Sequence, residues 1–263
     1  MRIIVLVMVV LATSRAVGQT DSLSHDNYIS VAHEYAWFKE NAPEWNTTII
    51  EGRIETDNQW SFLPKVYSSS RFDKTGWLGE VDVYRTFKNK DYLFVQVGYS
   101  PDAIFPNYKL GGEYFHPFSK KWEFSVGGRY FDFAATENII LWTGSLSKYS
   151  GNHLTIFRPF VGIQGTGDFN NLTFTLQHRY YRSDKEYVGL FGNFGYNPGL
   201  LLFAENSAVQ LTQAEQYGGG LISTHLLSDR WRLAGQFEYV FMDLGSAIRN
   251  QYLAGIKIHY LWP

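Results

Sequence analysis

A two-residue rhythm runs from about residue 28 to the end of the chain, and it constrains the fold more than any other feature. In "KWEFSVGGRYFDF", Lys121 to Phe133, the residues Trp122, Phe124, Val126 and Tyr130 share one parity, while Lys121, Glu123, Ser125 and Arg129 share the other. Successive side chains of a strand point to opposite faces, so such a run is a strand with one apolar and one polar side. About fourteen such runs follow one another, separated by breaks rich in Gly, Pro, Asn, Asp and Ser. No stretch of useful length has helical periodicity and no linker interrupts the series, so residues 28–263 read as one all-β domain.

The breaks alternate in length. "KENAPEW", "DKT", "PDAIFP", "DFAATE", "GTGDFN", "NPGLLLFAENSAVQLTQAE" and "MDLGSAIRN" form the longer series; "DNQ", "KNK", "SKK", "SGN", "SDK" and "SD" form the shorter one. A soluble sandwich has no reason to sort its connections this way. Outer-membrane barrels do: they have short periplasmic turns, longer outer loops, an even strand number and both termini on the periplasmic side. The expected fold is a single transmembrane antiparallel up-and-down β-barrel of about 14 strands.

Composition agrees. The chain is 17% aromatic and only 18% charged, yet its mean hydropathy is -0.22, because alternating greasy and polar residues cancel in an average. On this phasing the aromatics Trp122, Phe124, Tyr130, Trp231, Phe237, Tyr239, Tyr260 and Trp262 face lipid, near strand ends where interfacial girdles sit. The opposite parity carries a lumenal polar set, Glu51, Arg53, Glu80, Asp82, Glu113, Glu123, Arg129, Arg179, Glu238 and Lys257, joined by Glu34, Lys65, Arg71 and Lys109. A charge turned to the bilayer midplane would cost roughly 2–4 kcal/mol, which drives these groups inward. Arg158 and His178 do not fit the phase, and each asks for a bulge, an interfacial position or a shifted register. Both signs are present, so the inner face reads either as a stiffening network or as the lining of a solute path.

The N-terminus, "MRIIVLVMVVLATSRAVGQ", has a basic start, a short apolar run and a small-residue exit, the pattern of a cleaved signal peptide over residues 1–18; residues 19–27 form a short lead. Cleavage would remove Arg2 and Arg15, taking 23 bases to 21 against 25 acids, a formal charge of -4. That balance gives no reason to expect a nucleic-acid partner. The chain has no cysteine, so neither disulfides nor a cysteine-borne lipid enters the account.

Catalytic chemistry leaves little trace. The seven histidines show no metal spacing such as HExxH, and no catalytic residue, metal or cofactor is expected. Ser147, His153 and Asp168 could be imagined as a triad, but no nucleophile elbow surrounds the serine. The "GTG" at 165–167 and "GGG" at 218–220 precede no helix and read as a turn and as strand glycines.

The segments "GYSPDAIFPNYKLGGEYFHPF", "WEFSVGGRYFDF", "TGSLSKYSGNHLTIFRPF" and "LQHRYYR" resemble the YaiO-family outer-membrane β-barrel domain, in order, from about residue 28 to the end. The resemblance implies a bacterial outer membrane; some relatives occur beside surface-polysaccharide genes, and the family brings no catalytic residues to carry over. The expected function is a pore, or the outer-membrane component of an export or assembly system for surface polysaccharide. The alternative is a non-conducting structural or partner-binding barrel; an embedded lipid- or peptide-modifying enzyme is a third reading. Expected partners are outer-membrane lipid, the barrel-assembly machinery, and polysaccharide or an envelope protein.

Overall fold

The computed structural model describes residues 27–39, 43–56, 59–71, 73–133, 138–164, 168–196, 201–203, 209–211, 215–243 and 248–262. The signal peptide and nearly all of the lead expected from the sequence lie outside these residues. In chain order the strands are β1 (Asn27–Phe38), β2 (Trp45–Thr56), β3 (Trp60–Arg71), β4 (Lys74–Thr86), β5 (Tyr92–Tyr99), β6 (Tyr108–His116), β7 (Trp122–Asp132) and β8 (Ile139–Ser150). They continue with β9 (His153–Gln164), β10 (Asp168–Ser183), β11 (Glu186–Tyr196), β12 (Leu201–Phe203), β13 (Val209–Leu211), β14 (Glu215–Leu226), β15 (Trp231–Asp243) and β16 (Ile248–Trp262).

Fourteen of these strands form one closed antiparallel barrel in sequence order, and β12 and β13 pair only with each other in the connection between β11 and β14. Closure is made by β1 against β16, an unbroken register from Asn27↔Trp262 to Phe38↔Gln251. At ~4.8 Å between strands and ~40° of tilt, fourteen strands close on a backbone radius of roughly 14 Å. The termini of the barrel lie at the end with the short turns. The opposite end carries the longest connections, residues 197–214 and 100–107, but β3–β4, β9–β10 and β15–β16 are joined there through residues 72–73, 165–167 and 244–247, within the length range of the turns at the other end.

Alternation sorts the side chains across the wall. On β1, Tyr28, Ser30, Ala32 and Ala36 are buried while Ile29 and Val31 are 48% and 52% exposed. Val66, Val97, Val126, Trp142, Leu176, Leu190, Leu221 and Ile256 are among many large apolar residues left exposed on the outer face. A soluble protein does not leave a continuous apolar girdle of this extent uncovered. The buried polar residues, Glu51, Glu80, Asp82, Gln96, Glu113, Ser125 and Ser145 among them, lie on the other parity.

Local irregularities follow from single residues. Pro64 has no N–H to give, and the β2–β3 ladder is interrupted at Gly52–Arg53, resuming in the same register at Ile54↔Phe62. Pro159 does the same to the β8–β9 ladder between Thr143↔Phe160 and Leu146↔Phe157. At Gly127 a Cβ would lie 2.7 Å from the Cα of Glu113, so only glycine allows β7 to come this close to β6.

Candidate functional site

Measured along each strand from the short-turn end, the inner surface has layers. Tyr28, Tyr84, Tyr92, Tyr149 and Tyr187 stand on inward positions near that end. Tyr28 donates to Glu51 at 2.6 Å and Tyr92 donates to Glu123 at 3.0 Å.

At mid-height a belt of opposite charges follows the wall from β16 to β6. Lys257 lies 2.7 Å from Glu51, and Lys65 lies 3.9 Å from the same carboxylate. Lys65 also sits 2.5 Å from Asp82 and 3.4 Å from Glu80, and Lys109 sits 2.6 Å from Glu80. Gln96 donates to both Glu80 and Asp82. The carboxylate of Glu80 is only 1% exposed, which is tolerable because it is ion-paired and hydrogen-bonded on both oxygens. A second pair, Arg158 to Glu113 at 2.6 Å, is extended by the Ser125 and Ser145 hydroxyls.

The remaining predicted lumenal residues stand apart from the belt. Arg53 pairs with Glu55 on its own strand. Glu238 accepts from Asn193 at 3.2 Å, and Glu34 accepts from Gln236 at 2.9 Å. Arg129 lies over Phe94 and Arg179 over Tyr187; Arg179 also donates to Gln177 at 3.1 Å.

The aromatics predicted for the outside stand on the outward parity. Trp231 packs with Tyr260 at the short-turn end, Phe124 packs with Phe118, and Lys148 lies over Trp122. At the loop end Tyr239 packs on Tyr252, Tyr252 stacks on Trp37, and Phe237 packs against Trp37. Tyr130 is partly exposed, and Trp262 is 36% exposed at the last position of β16.

The two residues that resisted the phase resolve differently, and neither sits at a bulge. Arg158 is inward in an unbroken stretch of the β9–β10 register. Its strand misleads because Leu154, Ile156 and Phe160 are also inward, so both faces of β9 carry apolar groups. His178 is outward, 3.2 Å from His153 and 2.9 Å from Thr155. Ser147 is buried inside while His153 is exposed outside, so the wall separates them and no triad can form.

The loop end has a different character, which alternation did not announce. Residues 100–107 fold inward: Ile104 and Phe105 are 2% and 7% exposed and pack on Leu78, with Tyr67 alongside. Asp102 accepts from the Trp77 N–H at 2.8 Å and Ser100 donates to the Trp77 carbonyl at 2.5 Å, tying the loop to the part of β4 beyond its pairing with β5. A Cβ at Gly76 would lie 2.6 Å from that of Asp102, so this glycine lets the loop lie against the wall. Beside it along the rim, Phe38, Val240 and the fully buried Met242 form a second apolar cluster with Trp45. Below these clusters is a chamber of about 420 Å³, ringed by aliphatic and aromatic residues of most strands and by Glu34, Arg71, Lys109, Asn193 and Gln216.

A closed fourteen-strand barrel with an apolar exterior and a charged interior defines a porin-like β-barrel of the bacterial outer membrane. Residues 26–200 match the family model of the YaiO membrane beta barrel domain, and the chain belongs to that family. Among solved structures, a bacterial polysaccharide outer membrane secretin is similar at a TM-score of 0.55 and 8% identity, covering 92% of this chain and 100% of its own. The outer membrane protein Omp33 of Acinetobacter baumannii gives 0.52 at 11%, covering 90% and 99%. The KdgM porin in complex with disordered oligogalacturonate gives 0.48 at 8%, covering 89% and 99%. At these identities the likeness to the secretin and to Omp33 is one of fold. No curated protein matches the sequence.

Proposed function

We propose that the protein is a narrow pore of the outer membrane, its lumen a passage for a small solute rather than a packed core. The observation that carries this reading is the direction of the lumenal contacts. Those described above run along the wall, joining strands no more than three places apart in the ring. A belt of this kind stiffens the barrel and leaves its axis to solvent and solute. The outer aromatic and aliphatic face contacts outer-membrane lipid, and the barrel-assembly machinery inserts the chain. Service as the outer-membrane component of a polysaccharide export system is an extension of this reading, in keeping with the polysaccharide secretin fold. The reading assigns no catalytic role to any residue.

A sealed, partner-binding barrel is the second reading, favoured by the complete burial of Met242 beside Phe38 and Val240 at the mouth. Single-channel recording in a planar bilayer separates the two. The pore reading expects discrete conductance steps from the native chain, larger once Asp102–Pro106 are replaced by a short glycine-serine turn. Silence from both proteins would overturn it in favour of the sealed barrel.

A further inference from the structure

The chamber beneath the inward loop is unlike the rest of the lumen. Ile49, Leu78, Ile139, Leu141, Phe131 and Phe160 supply its wall, and none of these side chains can hydrogen-bond. An alkyl chain seated against them would gain from burial, while the hydroxyl and amide groups of Thr47, Tyr67, Thr173, Thr175, Asn193 and Gln216 line other parts of the same chamber. The volume of about 420 Å³ lies within the range of small-molecule sites.

One cation in the chamber is held in an unusual way. Arg71 lies 5.2 Å from the ring centre of Trp45 and 5.9 Å from that of Phe105, and its Nε donates to Ser69 at 3.0 Å. It makes no ion pair with a carboxylate among the described residues. Its two terminal nitrogens form the planar fork that suits a carboxylate or phosphate. Of the other charged groups of the chamber, Lys109 is engaged by Glu80; Glu34 accepts from Gln236 and acts on Arg71 through space without an ion-pair contact.

We propose that this chamber binds an amphipathic anion, an alkyl chain bearing a carboxylate or a phosphate monoester. The chain lies between Ile49 and Leu141, six strand places apart in the ring, and the head group meets Arg71. The assignment is independent of conduction, because a sealed barrel would present the same chamber.

The test uses the full-length barrel in nanodiscs of zwitterionic lipid, titrated with dansyl-labelled undecanoate, with a heat-modifiable gel shift confirming that each variant is folded. Saturable binding is expected, displaced by dodecanoate or dodecyl phosphate more readily than by dodecanol; whichever of the two displaces at lower concentration identifies the head group. Arg71→Gln should weaken the anions about tenfold, the loss of one charge-assisted contact, and leave dodecanol unchanged. Leu141→Trp should fill the chamber and abolish saturable binding. Binding that neither substitution alters would place the probe in the surrounding lipid and overturn the proposal. So would displacement by maltooligosaccharides but not by alkanoates, or no saturable binding at all.

Discussion

Lys109 reaches over β5 to set its ammonium 2.6 Å from Glu80, whose side chain is almost wholly buried and also receives Lys65. Removing the carboxylate takes from Lys109 its ion-pair partner, while Lys65 keeps Asp82 at 2.5 Å. We expect Glu80→Ala to destabilise the barrel by roughly 3 kcal/mol, near the lower end for breaking a buried pair because the lumen is partly hydrated. Urea unfolding followed by tryptophan fluorescence measures this. Combining it with Lys109→Ala should cost less than the sum of the two single changes, since both remove the same Lys109–Glu80 pair.

The inward loop should control the bore. Gly76→Val places side-chain atoms where Asp102 and Ile104 now lie and should push the loop from the wall. The expected result is an altered single-channel conductance with an unchanged heat-modifiable shift. An unchanged conductance would mean that the loop does not shape the path.

Sidedness has a direct consequence at Val126, which is 57% exposed on the outer face of β7. Val126→Arg should cost roughly 2–4 kcal/mol of folding stability in lipid, the depth-dependent cost of a lipid-facing charge. Ser125→Arg, one residue away, turns its charge to the lumen and should cost less. Refolding into vesicles across a urea series compares them, and equal costs would contradict the assignment of faces.

At the short-turn end Asp91 predicts a pH effect. The Tyr114 hydroxyl, burial opposing it, and then the His116 ring and Asn89 amide hold this carboxyl below its usual range. A folded value below the unfolded one, near 3.9, means that the charged form stabilises the fold. That contribution is complete above the unfolded value and lost as pH falls through the folded one. The stability gap between the native protein and Asp91→Asn should therefore be present at about pH 5 and close below about pH 4. A gap that widens under acid would refute it.

The barrel was legible in the sequence because its two determinants are local. Alternation fixes which way each side chain points, and the longest connections mark one end. The strand number and the inward positions of Glu51, Glu80, Asp82 and Lys257 follow from parity alone. Partners did not follow from parity. Whether Glu51 meets Lys65 and Lys257, or Glu113 meets Arg158, depends on registers between strands and on stagger around the ring. The chamber was hidden for another reason. Where the interior is itself apolar, as at Ile139, Leu141 and Phe160, the two faces look alike in sequence and the rhythm fades. The inward fold of residues 100–107 had one available sign: Ile104 and Phe105 are large apolar residues in a connection that solvent would otherwise cover.

The register between β1 and β16 also sets an order of events. Each is the other's partner along twelve residues, although they stand at opposite ends of the barrel sequence. A nascent chain stopped before Ile248 would keep two open edges, one of them its earliest strand, and each could pair with a neighbouring molecule. The first strand must therefore be shielded until the last has been delivered. Closure of the barrel thus waits on its last strand.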